Sequence, residues 1–366
     1  MSDSPVTPQF GASPSPAGPL QRPPDALPQR LTVLSGGVGG ARFLQGLLRL
    51  VERTGSDTAV TVIANTADDI WVHGLKVCPD LDTVMYTLGD GIDTDRGWGR
   101  REETWNAKEE LAAYGVEPTW FGLGDRDIAT HLVRTQMLEA GYPLSAVTAA
   151  LCKRWLPAAK GAADGGGVEL LPMTDDRVET HVVIDEPDTG ERKAVHFQEY
   201  WIRHHAGVPA HGVVPIGIQD AKPAPGVLEA IRDADVVIVP PSNPVVSVGT
   251  ILGVPGIREA LASTTAPVVG VSGIIGADHV HGMARQLLGV IGVEVSAAGV
   301  AGHYGARSAG GLLDGWLVDD RDAAAVSGVE AAGIPCRAVP LMMSDVPATA
   351  AMARAALDLA ADRAAR

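Results

Sequence analysis

The segment Ser35-Gly36-Gly37-Val38-Gly39-Gly40-Ala41-Arg42 is suited to approach an anion. Its glycines permit φ > 0 and leave backbone N–H groups bare. A helix starting there points its positive end at the same place. Gly36, Gly37, Gly39 and Gly40, with Arg42 beside them, are candidate phosphate-binding residues; a tight strand-to-helix turn without ligand explains the same glycines. The spacing is neither the dinucleotide fingerprint, which wants Gly or Ala where Arg42 stands, nor the P-loop, since no Gly-Lys-Ser/Thr follows. In Asn65-Thr66-Ala67-Asp68-Asp69, adjacent carboxylates suit a hard cation, although a helix N-cap also explains Asp68 or Asp69. In Pro79-Asp80-Leu81-Asp82-Thr83, Asp80 is either a cap or a site residue, and Asp82 falls on the first helical turn. A carboxylate there, brought near Asp68, would complete a magnesium site shared with a diphosphate.

Two further segments add polar groups. Gly124-Asp125-Arg126-Asp127 offers Arg126 for bidentate contact with phosphate or carboxylate. His131, one turn later, reads as a structural histidine. Pro241-Ser242-Asn243-Pro244 is a rigid loop presenting a hydroxyl and an amide able to read a base edge or ribose, or else a plain Asn-Pro turn. His204-His205 reads as solvated loop. Trp71, Trp98, Trp105, Trp120 and Trp201 are core or rim residues with the option of stacking on a flat ring.

These residues must be positioned by an α/β scaffold. Leu31–Leu34 is an apolar run before the glycines, and Leu44, Leu47, Leu48 and Val51 then repeat at helical spacing. Ala59–Ala64 is the next β-branched run, so the start reads as a βαβ unit with parallel strands. Helical patterns follow at 81–88, 103–114, 128–140 and 145–155. The stretch 158–167 is small-residue loop. Strands are expected at 168–173, 178–186 and 192–202, with a turn at 187–190, as an antiparallel extension of the sheet. The βα rhythm resumes with strands at 236–239, 267–271, 316–318 and 338–341, and helices at 256–262, 280–291 and 347–365. The expectation is a doubly wound, mostly parallel Rossmann-like sheet, with its site at the carboxyl ends of the strands. Residues 31–366 form one α/β domain with a hairpin and helical insertion near 80–212. Proline-rich residues 1–30 form a disordered extension.

Composition narrows the function. The chain has 366 residues, 46% hydrophobic and 20% charged, enough for a sizeable core. A formal net charge of −15 repels a polyanion, so nucleic acid is not expected as a partner. Three cysteines without metal spacing indicate a reducing cytoplasm. No run is apolar enough to span a membrane.

Taken together, the anchors Ser35–Gly40, Asn65–Asp69, Pro79–Thr83, Gly124–His131, His196–Trp201 and Pro241–Pro244 resemble the 2-phospho-L-lactate transferase family of deazaflavin-coenzyme biosynthesis. Gly97-Trp98-Gly99 and the segment Glu103–Leu111 look like its actinobacterial branch, which uses an enolpyruvate donor. The resemblance implies a Mg2+-dependent transfer from a guanosine diphosphate ester of enolpyruvate or lactate to a deazaflavin alcohol, releasing GMP. It implies that Gly36–Gly40 hold the diphosphate, Asp68 and Asp82 bind magnesium, Asp82 lies beside the ribityl chain, and Ser242 and Asn243 serve the guanosine. It also suggests a homodimer. The chain departs from the pattern at Pro240 and Gly273. A sister group with the same loop binds nucleotide-sugars as regulators of cell-wall metabolism; the Pro-Asp-Leu-Asp-Thr and Gly-Asp-Arg-Asp segments favour the transferase.

Overall fold

The computed structural model describes residues 26–156, 167–276, 278–279 and 283–364. The chain opens as β1 (Arg30–Ser35), α1 (Gly37–Thr54) and β2 (Ala59–Ala64). A small antiparallel ribbon, β3 (Ile70–Val72) with β4 (Leu75–Val77), leads into α2 (Pro79–Leu88). Then come α3 (Asn106–Ala113), α4 (Asp125–Glu139), α5 (Leu144–Trp155) and β5 (Gly167–Pro172). Next are β6 (Glu179–Asp185), β7 (Arg192–His196), β8 (Ala210–Ile216), α6 (Val227–Arg232) and β9 (Val236–Val239). After α7 (Val248–Gly253), α8 (Ile257–Ser263) and β10 (Val268–Val271), a short pair β11 (Ile274–Ile275) and β12 (Asp278–His279) precedes α9 (Ala284–Val290) and α10 (Ala297–Tyr304). The chain ends through β13 (Gly315–Val318), α11 (Val326–Ala331), β14 (Cys336–Ala338) and α12 (Val346–Ala364).

Seven strands form one all-parallel sheet in the order β14-β13-β10-β9-β1-β2-β5. Strand order reverses between β1 and β9, the position at which a doubly wound sheet forms its ligand crevice. Continuous apolar runs suit strands covered on both faces: Val236, Val237, Ile238 and Val239 are all buried. Of α1, the stripe Phe43, Leu44 and Leu47 is fully buried, which contributes about 1.5–3 kcal/mol per side chain.

The expected doubly wound fold is observed, with three local corrections. Residues 168–173 do not begin a hairpin; they run parallel to β2 at the sheet edge. The antiparallel strands do not extend that sheet, either: β7-β6-β8 is a separate three-stranded sheet. β6 alternates in burial, and its inner face packs Val182 and Ile184 against Phe197, Tyr200, Met283 and Leu287. The third correction concerns 192–202. The strand stops at His196, and Glu199–Arg203 form one π-helical turn. Burial of Tyr200 overrides the strand propensity of this aromatic segment.

The expected disordered extension does not reach Leu31, because residues 26–30 pack against the body of the protein. Leu27 is buried, and the Gln29 and Arg30 amides donate to Asp235 Oδ2 at 2.8 and 2.9 Å. The rest of that extension, residues 1–25, and residues 158–166 of the loop expected at 158–167 lie outside the described residues, while Gly167 already belongs to β5.

Alanine-rich α12 lies against α1 at Gly46, where an added Cβ would come within 2.6 Å of the Thr349 carbonyl carbon. Replacing a helical glycine by alanine ordinarily stabilises by up to about 1 kcal/mol. Here the expected sign is reversed, with Gly46→Ala costing about 1–3 kcal/mol. Urea unfolding checks this; a gain in stability would mean that the two helices are free to separate.

Candidate active site

The crevice at the β1–β9 switch is a cavity of about 760 Å³ whose floor comes from the carboxyl ends of β1, β2, β9 and β10. α1 begins at Gly37, and no acidic residue occupies its first turn. Its N-cap, Gly36, has no side chain to cap it, and the Asp80 carboxylate lies against this end within reach of the Gly37 amide. Gly37 adopts φ +60, the left-handed region that favours glycine.

The loops after β1 and β9 clamp each other. The Gly36 amide donates to Ser242 Oγ at 3.2 Å, and Ser242 Oγ donates to the Gly36 carbonyl at 3.0 Å. A Cβ on Gly39 would sit 2.3 Å from the Pro241 carbonyl oxygen, and one on Gly40 2.6 Å from Ser242 Oγ. These glycines are therefore required for the loops to close as well as for any ligand. Asn243 spends its Oδ1 on the Val245 and Val246 amides, at 2.9 and 3.2 Å. The turn reading of this residue is thus correct for its oxygen, while the residue still lines the cavity.

The acidic residues divide by partner. Asp68 lines the cavity, and its Oδ1 is buried with no hydrogen-bond partner among the described residues. Burial first, and then the charge of Asp80, hold the Asp68 carboxyl well above the usual carboxylate range. Asp80 is not a cap, because Cys78 holds that position. Its Oδ2 accepts from Asn65 Nδ2 at 2.9 Å, and burial pushes it up to about 6. Asn65 is wholly committed inside, since its Oδ1 accepts from the Ala67 amide at 2.9 Å and the Thr250 hydroxyl at 2.7 Å. Asn65 therefore ties β2 to α2 and α7 and aims Asp80. Asp69 turns away and pairs with Lys76 at 3.3 Å. Asp82 lies on the cavity floor and is paired with the buried guanidinium of Arg134.

Of the residues singled out in the sequence, Gly36, Gly37, Gly39, Arg42, Asp68, Asp80, Asp82, Ser242 and Asn243 line this one cavity. Gly40, Asn65 and Asp69 support it from behind. Arg126 does not reach it: α4 starts at Asp125, which turns Arg126 to solvent and to Glu102 at 3.2 Å. Its neighbours Asp127 and His131 face inward instead. Sequence reasoning missed Arg134; the signal was a polar triplet, Thr130, His131 and Arg134, at the i, i+1, i+4 spacing of one buried helix face. It also left Trp98 and Trp201 open. Both line the cavity while 48% and 38% exposed, a large apolar area left unfilled by protein.

Together these features define a doubly wound α/β protein in which a glycine-rich helix start and an acidic floor share one pocket. The chain belongs to the family described as 2-phospho-L-lactate transferase CofD, which it matches over residues 31–333. It is similar to a protein named phosphoenolpyruvate transferase in Streptomyces griseus, at 65% identity over 90% of this chain and 98% of that one. Proteins of the same name in Streptomyces coelicolor and Nocardia farcinica are 64% and 60% identical, again over 90% of this chain, covering 98% and 95% of theirs. Two solved structures of a Bacillus halodurans protein share the fold, with TM-scores of 0.55 and 0.54 at 20% and 19% identity, covering 90% of this chain and 100% and 99% of theirs.

His196 fastens the small sheet to the acidic loop. Its Nδ1 accepts from the Gln198 amide at 3.1 Å, so the neutral ring carries its proton on Nε2, 3.2 Å from the Asp69 carbonyl. Burial, partly opposed by Glu179, lowers its pKa to about 4. Between that value and the unfolded value near 6.5, the unfolded chain binds the extra proton. Stability from this residue is therefore present above about 6.5 and lost as pH falls towards about 4. An NMR titration of the ring should show a midpoint well below the free value, and His196→Asn should flatten stability across that window. A midpoint near 6.5 would contradict the buried neutral ring.

Proposed function

We propose that this chain transfers the phosphoenolpyruvyl group of a guanosine diphosphate ester to the terminal ribityl hydroxyl of a deazaflavin alcohol, 7,8-didemethyl-8-hydroxy-5-deazariboflavin, releasing GMP. The observation that carries the reading is the shared pocket: the glycine-rich start of α1 and the unpartnered Asp68 Oδ1 lie on the same cavity. Family membership and the names of the relatives support a transferase of phosphoenolpyruvate or phospholactate. Those names favour the enolpyruvate donor over its lactate counterpart.

In this reading the hydroxyl oxygen attacks the phosphorus that bears the acid, and the bond to the GMP oxygen breaks. Such a transfer needs positioning and charge neutralisation more than covalent help. The Gly36–Gly40 backbone holds the diphosphate, Ser242 and Asn243 border the guanosine, and Asp82 orients the attacking hydroxyl. Trp98 and Trp201 offer faces for the flat ring.

Magnesium fits the residues present. No cluster of three or more His, Cys, Asp or Glu able to hold a metal occurs among the described residues, but magnesium is typically held by one or two carboxylates plus substrate phosphates. Asp68, with its unpartnered buried oxygen, and Asp82 are the proposed protein ligands. Bound there with the diphosphate, the ion would neutralise charge growing on the phosphate oxygens. A cytoplasmic, homodimeric protein completes the reading. Supporting the first are the free Cys78, Cys152 and Cys336 and the lack of any described helix long and apolar enough to cross a membrane.

GMP release should require the donor, the deazaflavin alcohol and magnesium together; equal release without the deazaflavin would reject the assignment. Asp68→Asn gives a sharper test. A carboxylate held at high pKa destabilises the fold at neutral pH, so the metal-free variant should melt higher than the parent. Magnesium affinity in the presence of GDP should fall, with turnover down about 100-fold or more. A lower melting temperature with unchanged magnesium affinity would instead mark Asp68 as a local capping residue.

A further inference from the structure

We propose that Arg134 is a positioning residue for the transfer, locking the Asp82 carboxylate with Oδ1 engaged and Oδ2 kept for the reacting groups. The inference rests on the reading of Asp82 given above.

Arg134 is 1% exposed, unusual for an arginine. Its fork joins three elements. Nη2 donates to Asp82 Oδ1 on α2, while Nη1 donates to the Lys76 carbonyl on β4 at 3.3 Å and lies 3.0 Å from His131 Nδ1 on α4. The guanidinium is thereby fixed in plane and direction. Arginine–carboxylate pairs are frequently bidentate, engaging both carboxylate oxygens in parallel bonds. Here Asp82 Oδ2 is left buried and without a hydrogen-bond partner among the described residues.

The nearest candidate partner is already committed. His131 Nδ1 stands 3.7 Å from Asp82 Oδ2. Arginine has only donors, so Nδ1 must accept from Arg134 and cannot donate to Asp82. The ring proton then sits on Nε2, 3.4 Å from Asp127 Oδ2. Asp127 also accepts the Tyr86 hydroxyl at 2.5 Å. Burial pushes Asp127 up, but the contacts from His131 and Tyr86 outweigh it and hold it below the usual range. Tyr86, Asp127, His131 and Arg134 thus form a rack around Asp82, and of the two Asp82 oxygens it engages only Oδ1, leaving Oδ2 open on the cavity floor. An unpaired buried acceptor costs about 1–3 kcal/mol, more when charged. Such a group in a native fold points to an occupant.

The test is a double-mutant cycle on acceptor-dependent GMP release. Arg134→Met keeps the apolar stem and removes the fork; Arg134→Lys keeps the charge without the fork. Both should lower kcat, Arg134→Met by about 100-fold, while donor KM and the circular dichroism spectrum stay near those of the parent. Because Arg134 acts through Asp82, Asp82→Asn with Arg134→Met should be no slower than Asp82→Asn alone. Losses that multiply, a full rate for Arg134→Lys, or failure of both Arg134 variants to fold would overturn the proposal and leave Arg134 a stability residue. A parent protein without acceptor-dependent GMP release would sink the functional reading. A working parent whose Arg134 variants keep their kcat would sink this inference alone.

Discussion

Carboxyl groups buried without enough cations to match them govern this molecule. Asp68, Asp69, Asp80 and Asp82 are 4%, 1%, 7% and 5% exposed and lie within one short stretch of chain. Burying a carboxylate is unfavourable unless it is paired or hydrogen-bonded. The fold answers each one differently: Lys76 pairs with Asp69, Arg134 with Asp82, and the Asn65 amide with Asp80. Asp68 receives no cation and keeps a bare oxygen. Asp68 lines the same cavity as Gly36 and Gly37. On the proposed reading, a ligand that brings both phosphate and a divalent cation serves both sides of that cavity at once.

The scaffold exists to hold this conflict in place. The parallel sheet ends its strands on one edge, and the reversal between β1 and β9 opens the crevice there. The Gly36–Ser242 clamp fixes the glycine-loop side. Asn65 and Thr250 fix the acidic side through a buried polar network, with every polar group of Asn65 satisfied. The small antiparallel sheet closes the rim, since Gln198 Nε2 donates to the Asp68 carbonyl at 3.3 Å and His196 meets that of Asp69.

Much of this was legible in the sequence, for physical reasons. Val236–Val239 and Ala59–Ala64 were readable because a strand buried on both faces is a continuous apolar run between turn residues. The glycine loop and the aspartates were readable because few residue types serve a helix N-terminus or a hard cation. β8 escaped notice because its burial is irregular and Gly212 and Pro215 interrupt it. The π-helical turn at Glu199–Arg203 escaped because a single buried tyrosine outweighs local propensity. Arg134 escaped because nothing in a sequence says that an arginine on a helix is turned inward; only the packing of α4 on α2 and β4 shows it.

On the proposed reading, the raised carboxyls of Asp68 and Asp80 carry protons at pH 6 that a divalent cation must displace. Calorimetry of magnesium binding to the GDP-loaded protein, run in buffers of different ionisation enthalpy, counts the protons released. With Asp80 at about 6 and Asp68 held well above its usual value, magnesium binding at pH 6 should release protons beyond those from free GDP. That release should be reduced in Asp68→Asn. Magnesium binding at pH 6 with no proton release would mean that the floor is already ionised, and would contradict the account.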